Sequence, residues 1–309
     1  MNKNQRNRLA AMTGYKTIFD CPMARYTTFR VGGTAEAVYH ADDLEELSQI
    51  IRYLNREGIP CFVMGRGSNL LIRDSGISGL IIQLKGALAT IEREHPEDPT
   101  LLLGAGLSLA DLLSYCRRAG LSGLEFLAGI PCTVGGAAAM NAGAFGEEFC
   151  PRILEIQWLT AQGDLRVTER AQLRFSYRTL EMEKDSVIVR VRVQLRHDSE
   201  KTVAHRITQC LRERRLRQPL EYPSAGSVFK NPPGDFAGRL IEAAGLKGKK
   251  IGGAMISEKH ANFIINTGGA KAEDILGLMD LAESRVKEDT GIELEPEVRI
   301  LGNGFTDSR

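Results

Sequence analysis

The nine residues Ser224–Pro232, SAGSVFKNP, bring two hydroxyls, a cation and a carboxamide together around a glycine. The first chemistry to weigh for such a serine is nucleophilic. A nucleophile elbow carries glycines two residues before and two after the serine, where a strand turns sharply into a helix. Around Ser227 those positions hold Ala225 and Phe229, and around Ser224 they hold Tyr222 and Gly226. An activated serine also needs a base, usually a histidine held by a carboxylate. The five histidines, His40, His95, His197, His205 and His260, stand in no partner motif. An acyl-transfer serine is therefore disfavoured. Serine and asparagine are also ordinary cap and turn residues, so the stretch alone decides neither for a site nor against one.

Three further stretches are rich in small residues: VGGTA (31–35), GRGSNLLI (65–72) and GIPCTVGGAAAMNAGAFG (129–146). Glycine admits positive φ and close approach, which leaves N–H groups free to point at phosphate oxygens. None of the three matches the P-loop, and GRGSNL lacks the third glycine and the helix of a dinucleotide fingerprint. Any one of them reads equally as a tight turn. Three within so short a span, two directly after strands, favour a ligand. Asn141 and Thr133 in the longest suit a diphosphate or a polar ring edge. On residues alone the reading is a dinucleotide site not built on a Rossmann fold.

The elements that must position these loops follow from periodicity. AEAVYH (35–40) alternates as a strand. DDLEELSQIIRYLNREG then opens on aspartates and sets Leu44, Leu47, Ile51 and Leu54 on one helical face. IPCFVMG, GLIIQL and TLLLGAG read as strands, and LADLLSYCRRAG as a helix whose two arginines suit its C-terminal dipole. ILEIQWLT and LRVT flank AQGD as a hairpin, and SVIVRVRVQLR is a long alternating strand. A charged helix over about 200–217 leads to Pro219 and Pro223. Beyond it come FAGRLIEAAG and KAEDILGLMDLAESRVKEDTG as helices, ANFIIN as a strand, and IELEPEVRIL as a last strand. Strands and helices do not alternate regularly, so the fold class expected is α+β. The domains expected are 1–202, in two lobes split near 85–100, and 203–309.

Composition narrows the function classes. In 309 residues there are 40 Lys+Arg against 39 Asp+Glu, so no global field favours nucleic acid and any anion site is a local cluster. The opening MNKNQRNRLAAMTGYKTIFD has no apolar core of a signal peptide, and no apolar run of about 18 residues suggests membrane insertion. The six cysteines form no C-x-x-C pair. No metal site is expected, and a reducing cytoplasm is the expected location.

Taken in order, YTTFRVGGTAE, GRGSNLLI, GLEFLAGIPCTVGGAAAMNAGAFG, FSYR, SAGSVFKNP and EPEVRIL resemble the UDP-N-acetylenolpyruvoylglucosamine reductases. The likeness runs from about Thr27 to Leu301 and is to the shorter type, because little chain separates FSYR from SAGSVFKNP. It implies a two-lobed FAD-binding domain of the vanillyl-alcohol-oxidase (PCMH) kind, followed by an α+β substrate domain. It implies that NADPH reduces a non-covalent FAD, which reduces UDP-N-acetylglucosamine enolpyruvate to UDP-N-acetylmuramate. The partner implied is this small nucleotide sugar, with no nucleic acid and no membrane insertion, and a monomer is favoured.

The resemblance also distributes roles. Ser227 matches the proton donor, with Arg178 and Glu297 as groups that stabilise the intermediate. A hydroxyl suffices as donor because the enolate formed by hydride addition is basic enough to deprotonate a neutral alcohol. Gly65, Arg66, Gly67, Ser68, Asn69 and Leu70 are implied on the cofactor. So are Gly129, Ile130, Thr133, Gly135, Gly136, Ala137, Asn141 and Gly143. Tyr177, Lys230, Asn231 and Arg299 are implied on the substrate. Apart from the resemblance, the charged helix offers Arg214, Arg215 and Arg217 as further anion contacts, although a charge run also reads as a solvated face. His260 reads as structural. Cys132 stands where the family commonly has glycine; positive φ there would cost on the order of 1 kcal/mol. Two other readings compete: a flavin-dependent oxidase of the same fold, and a non-catalytic sensor of flavin or nucleotide sugar. The first usually carries a histidine in the early glycine loop, and GRGSNLLI has none.

Overall fold

A computed structural model of the chain describes residues 1–304. The chain divides into two compact units. The first takes Met1–Phe19, Ala37–Gly65 and Gly79–Arg212, and the second takes Asp20–Glu36, Arg66–Ser78 and the chain from Glu213 onward.

The first unit holds two apolar cores. In one, the helix Leu44–Arg56 is started by Asp43, whose carboxylate accepts from the Glu46 N–H at 2.8 Å. Its Leu47, Ile50, Ile51 and Leu54 pack with Tyr39, Leu80 and Ile82. The strand Cys61–Val63 lies parallel to residues 80–82 of the long strand Leu70–Leu84. The other core is covered by an antiparallel sheet with strand order Leu165–Glu169, Ile153–Leu159, Val187–Gln194, Thr100–Gly104, Ile91–Glu92. The expected hairpin is there, closing at Leu159 opposite Leu165. Along Val187–Gln194 the valines 187, 189, 191 and 193 are buried and the residues between them are not, as a period of two requires. Val187 and Val189 serve the first core, Val191 and Val193 the second. The helix Leu109–Arg118 adds Leu109, Leu112, Leu113 and Cys116 to that second core.

One element was not legible. Val134–Ala139, inside the longest glycine stretch, is a short helix capped by Thr133, whose hydroxyl accepts from the Gly136 N–H at 3.3 Å. Its small residues permit close packing: a Cβ at Gly135 would lie 2.8 Å from the Ala105 Cβ.

The second unit is built on the helix Ala272–Thr290, which buries Ile275, Met279, Ala282 and Val286 as its spacing predicts. Around it lie the helix Ala237–Ala243 and an antiparallel sheet of Lys250–Ile251, Ala254–Ile256 and Ile264–Asn266. Segments far upstream complete this unit. Phe29, Val31 and Leu71 enter its core, and the Asn266 side chain donates to the Phe29 carbonyl at 3.0 Å. The Asp74 carboxylate accepts from the Ala272 and Glu273 N–H groups at 3.0 and 3.1 Å, which supplies the long helix with its N-terminal acceptor. The last strand, Arg299–Asn303, pairs in parallel with Leu70–Ile77. It is shorter than the expected Ile292–Leu301. Within that stretch Leu294 and Val298 are buried and Glu295 is exposed, while Pro296 and Glu297 are both half-buried, and the segment bonds to 228–230 through its backbone.

Candidate active site

In the second unit, Gly226 takes φ +78° and delivers Ser227 into a short extended run. The Val228 N–H donates to the Asn262 carbonyl at 2.9 Å, and the Val228 carbonyl accepts from the Glu297 N–H at 2.8 Å. One residue thus ties the serine segment to both the Asn262 and the Glu297 segments. Val228 and Phe229 are each 1% exposed and anchor the run in the core, leaving Ser227 half-buried. Among the described residues, the Ser227 hydroxyl has no protein partner, so its proton is not committed.

Asn69 joins the early glycine loop to the same place. Its side chain donates to the Glu297 carbonyl at 2.9 Å, and its own carbonyl accepts from the Arg299 N–H at 3.0 Å. Ser227, Glu297, Arg299 and Asn69 therefore come together within one unit. The loop itself turns at Gly67, with φ +63°, where a Cβ would lie 2.4 Å from the Tyr26 carbonyl oxygen. The Gly67 carbonyl is held by the Thr28 N–H at 3.3 Å. Among the described residues, no protein acceptor takes the N–H groups of Arg66, Gly67 and Ser68. A left-handed residue inside a run of open N–H groups is the backbone arrangement from which anion-binding concavities are made. Leu70, which follows, is buried and pairs with Arg299.

Lys230 and Asn231, two other predicted substrate contacts in this unit, are occupied by the protein. Lys230 forms an ion pair with Glu295. Asn231 accepts from the Ala237 N–H at 3.1 Å and so starts the helix Ala237–Ala243. Arg214 is 7% exposed, the Arg215 carbonyl accepts from Lys259 Nζ at 2.6 Å, and Arg217 pairs with Glu213. The His260 ring accepts the Asn262 N–H on Nδ1 at 3.2 Å and lies 4.9 Å from the Phe263 ring. Burial pushes its pKa below the usual histidine value, which agrees with a neutral structural ring.

In the first unit, Arg178 sits in the turn of the hairpin Phe175–Ser176/Thr179–Leu180 with φ +59°, a left-handed conformation that arginine rarely takes. Its Nη2 donates to the Gly143 carbonyl at 3.2 Å, and its guanidinium lies 4.7 Å from the centre of the Tyr177 ring. A Cβ at Gly143 would come within 2.8 Å of Nη1, so the glycine makes room for the arginine. Gly65 is similarly confined: its Cβ would meet the Thr133 hydroxyl at 2.6 Å, and its carbonyl accepts from the Gln83 side chain at 2.9 Å. Asn141 is buried with its amide fully spent. It donates to Glu148 at 3.0 Å and to the Ser176 carbonyl at 3.2 Å, and accepts from the Cys150 N–H at 3.1 Å. It shapes the loop. Gly129 makes the positive-φ turn at +81°, Ile130 packs against the second core, and Ala137 lies inside it. The N–H groups of Gly135 and Gly136 donate within the protein.

The expected strain at Cys132 is absent, because the residue does not take positive φ. Its thiol turns to the Thr133 carbonyl at 3.3 Å. Asn262 went unread in the sequence. The available signal was an asparagine inside the apolar run ANFIIN, since a buried amide must be hydrogen-bonded.

A family model described as the UDP-N-acetylenolpyruvoylglucosamine reductase C-terminal domain matches residues 218–301, and one described as an FAD binding domain matches 35–169. The UDP-N-acetylenolpyruvoylglucosamine reductase 2 of Symbiobacterium thermophilum is 43% identical over 91% of this chain and 91% of its own. The chain belongs to the UDP-N-acetylenolpyruvoylglucosamine reductase family. A second member, from Nitrosococcus oceani, is 44% identical over 91% of this chain and 93% of that protein. The crystal structure of the family member from Thermus caldophilus covers 92% of this chain and 97% of its own, with TM-score 0.79 and 37% identity. The flavin that the family's FAD-binding domain implies fits the residues present. The open N–H groups of Arg66–Ser68 offer donors for a phosphate-bearing anion, and glycines 65 and 67 leave no space for a side chain. No helix among the described residues is long and apolar enough to cross a membrane, and among them no group of three or more His, Cys, Asp and Glu could hold a metal ion.

Proposed function

We propose that this protein reduces UDP-N-acetylglucosamine enolpyruvate to UDP-N-acetylmuramate, a step in peptidoglycan precursor synthesis. FAD, when bound, carries the hydride from NADPH to the substrate. The observation that supports the residue roles is the backbone bond from the Glu297 N–H to the Val228 carbonyl, which ties the segment of the uncommitted Ser227 to that of Glu297.

Hydride adds to the terminal vinyl carbon, and the electron pair of the double bond moves to the carbon that bears the carboxylate. Ser227 gives its proton to that carbon, and solvent returns one to the serine oxygen. Arg178 and Glu297 are assigned to the carboxylate as it becomes enolate-like. Charge that develops there is stabilised best by donors already in place. Arg178 is a planar, permanently charged fork suited to a carboxylate. Its strained turn conformation supports this assignment, because such strain gathers at functional sites. Glu297 can meet an enediolate only as the neutral acid, through a shared proton. Tyr177 and Arg299 are assigned to the substrate. Lys230 and Asn231 reach it after leaving Glu295 and the helix start, respectively. The cofactor residues are assigned to backbone donation by Arg66, Gly67 and Ser68 and to the close-packed surface of the 129–143 segment. The domain assignment proposed is 1–202 for FAD and 203–309 for substrate. A cytoplasmic location is proposed, in keeping with six free cysteines, and a monomer is proposed as well.

Anaerobic spectroscopy tests the reading. Flavin bands should bleach with NADPH and return when the enolpyruvyl nucleotide sugar is added. Peroxide formation without the sugar would favour an oxidase. Binding of the sugar with no reoxidation would favour a sensor. Ser227→Ala should leave flavin reduction intact and slow reoxidation by about 10²–10⁴-fold, the usual worth of a proton-transfer group. Equal loss in both halves would sink the proton-donor role.

A further inference from the structure

We infer that Asn262 is the positioning residue for the proton donor, an inference that rests on the role proposed for Ser227. Asn262 is 2% exposed and grips the serine strand three times. Its backbone carbonyl takes the Val228 N–H at 2.9 Å. Its side-chain Oδ1 takes the Phe229 N–H at 3.0 Å, and its Nδ2 donates to the Phe229 carbonyl at 2.8 Å. The side chain thus pairs with Phe229 as a neighbouring strand would, in a stretch where the serine strand has only isolated bridges, Ser227 to Phe263 and Phe229 to Pro296. On its other edge the same strand holds Glu297 through the Val228 carbonyl. Removing the amide therefore loosens the strand two residues beyond Ser227 on this edge, while the backbone bonds of Val228 to Glu297 and of Lys230 to Glu295 stay on the other. Asn262 touches neither reacting carbon nor hydride; it acts through Ser227.

Displacements of about 1 Å at a reacting group cost roughly 100-fold in rate. Asn262→Ala should reduce its flavin with NADPH within about 2-fold of the parent and reoxidise it with the enolpyruvyl nucleotide sugar roughly 100-fold more slowly. Amide hydrogen exchange over 227–230 should quicken by about 10-fold or more, as local protection is lost. In a Ser227→Ala background the second substitution should add almost nothing, because groups that act as a unit are not additive. A penalty carried in full into that background overturns the inference, as does a wild-type reoxidation rate. Normal reoxidation by Ser227→Ala alone instead sinks the proton-donor reading, while the exchange rates still report whether Asn262 holds the strand. If Asn262→Ala fails to fold, Asn262→Asp carries the test. Its carboxylate keeps the acceptor for Phe229 but loses the donor, and burial favours its neutral form as pH falls. Relative to the parent, its reoxidation should recover on acidification from pH 8 towards pH 5. A flat ratio overturns the inference.

Discussion

Replacing Arg178 with glycine separates what this residue does for the fold from what it does for the reaction. At φ +59° the arginine carries a left-handed penalty of about 1–2 kcal/mol, which glycine removes. Against that stand the freedom glycine adds to the unfolded chain, about 0.5–1 kcal/mol, and the lost bond to the Gly143 carbonyl, about 0.5–1.5 kcal/mol. The half-exposed contact with Tyr177 contributes about 0.5–1 kcal/mol more. These contributions sum to between a gain of about 0.5 and a loss of about 2.5 kcal/mol, a melting loss of up to about 10 °C for a chain of this size. The lost charged hydrogen bonds to the substrate carboxylate should cost far more, about 10²–10³-fold in turnover. The assays are thermal unfolding of the holoenzyme and stopped-flow reoxidation of NADPH-reduced flavin. Arg178→Lys, which keeps charge but not the fork, should fall between. Unchanged reoxidation in Arg178→Gly would refute the assignment. So would a melting loss well beyond about 10 °C with flavin reduction equally impaired, since the arginine would then be structural.

Two further expectations concern the cofactor loop and pH. Gly67→Ala places a Cβ 2.4 Å from the Tyr26 carbonyl in a left-handed residue, so the protein should purify with little flavin and regain little from added FAD; full flavin content would show that the loop's conformation is not what binds it. His40 and His260 both have pKa values lowered by burial from the ordinary 6.5. The folded state therefore binds fewer protons than the unfolded chain, and their contribution is complete above about pH 6.5 and lost as pH falls through the folded values. Melting temperature should decline on acidification through that window, and His260→Gln should flatten the decline. A profile unaltered by His260→Gln would exclude that ring as a source.

Local signals carried the helices Leu44–Arg56 and Ala272–Thr290, the strand Val187–Gln194 and the hairpin at Leu159–Leu165, because period, cap and turn are written within a few residues. The motifs carried the family and, through it, the flavin and the substrate class. They also named Ser227 and Glu297 without any means of joining them. The helix Val134–Ala139 was hidden because glycine weakens the helical signal it sits in.

What tertiary structure alone decided is non-local. Asp20–Glu36 and Arg66–Ser78 group with the C-terminal unit rather than with their sequence neighbours. Asp74 caps a helix 198 residues downstream, and Asn69 bonds the backbone of Glu297, 228 residues away. Such pairings leave no period in the sequence, since each depends on chain closure rather than on neighbouring residues. Composition and spacing determined which groups this protein owns. Tertiary structure decided that the backbone of Val228, its N–H held by Asn262 and its carbonyl by Glu297, would join the serine segment to both.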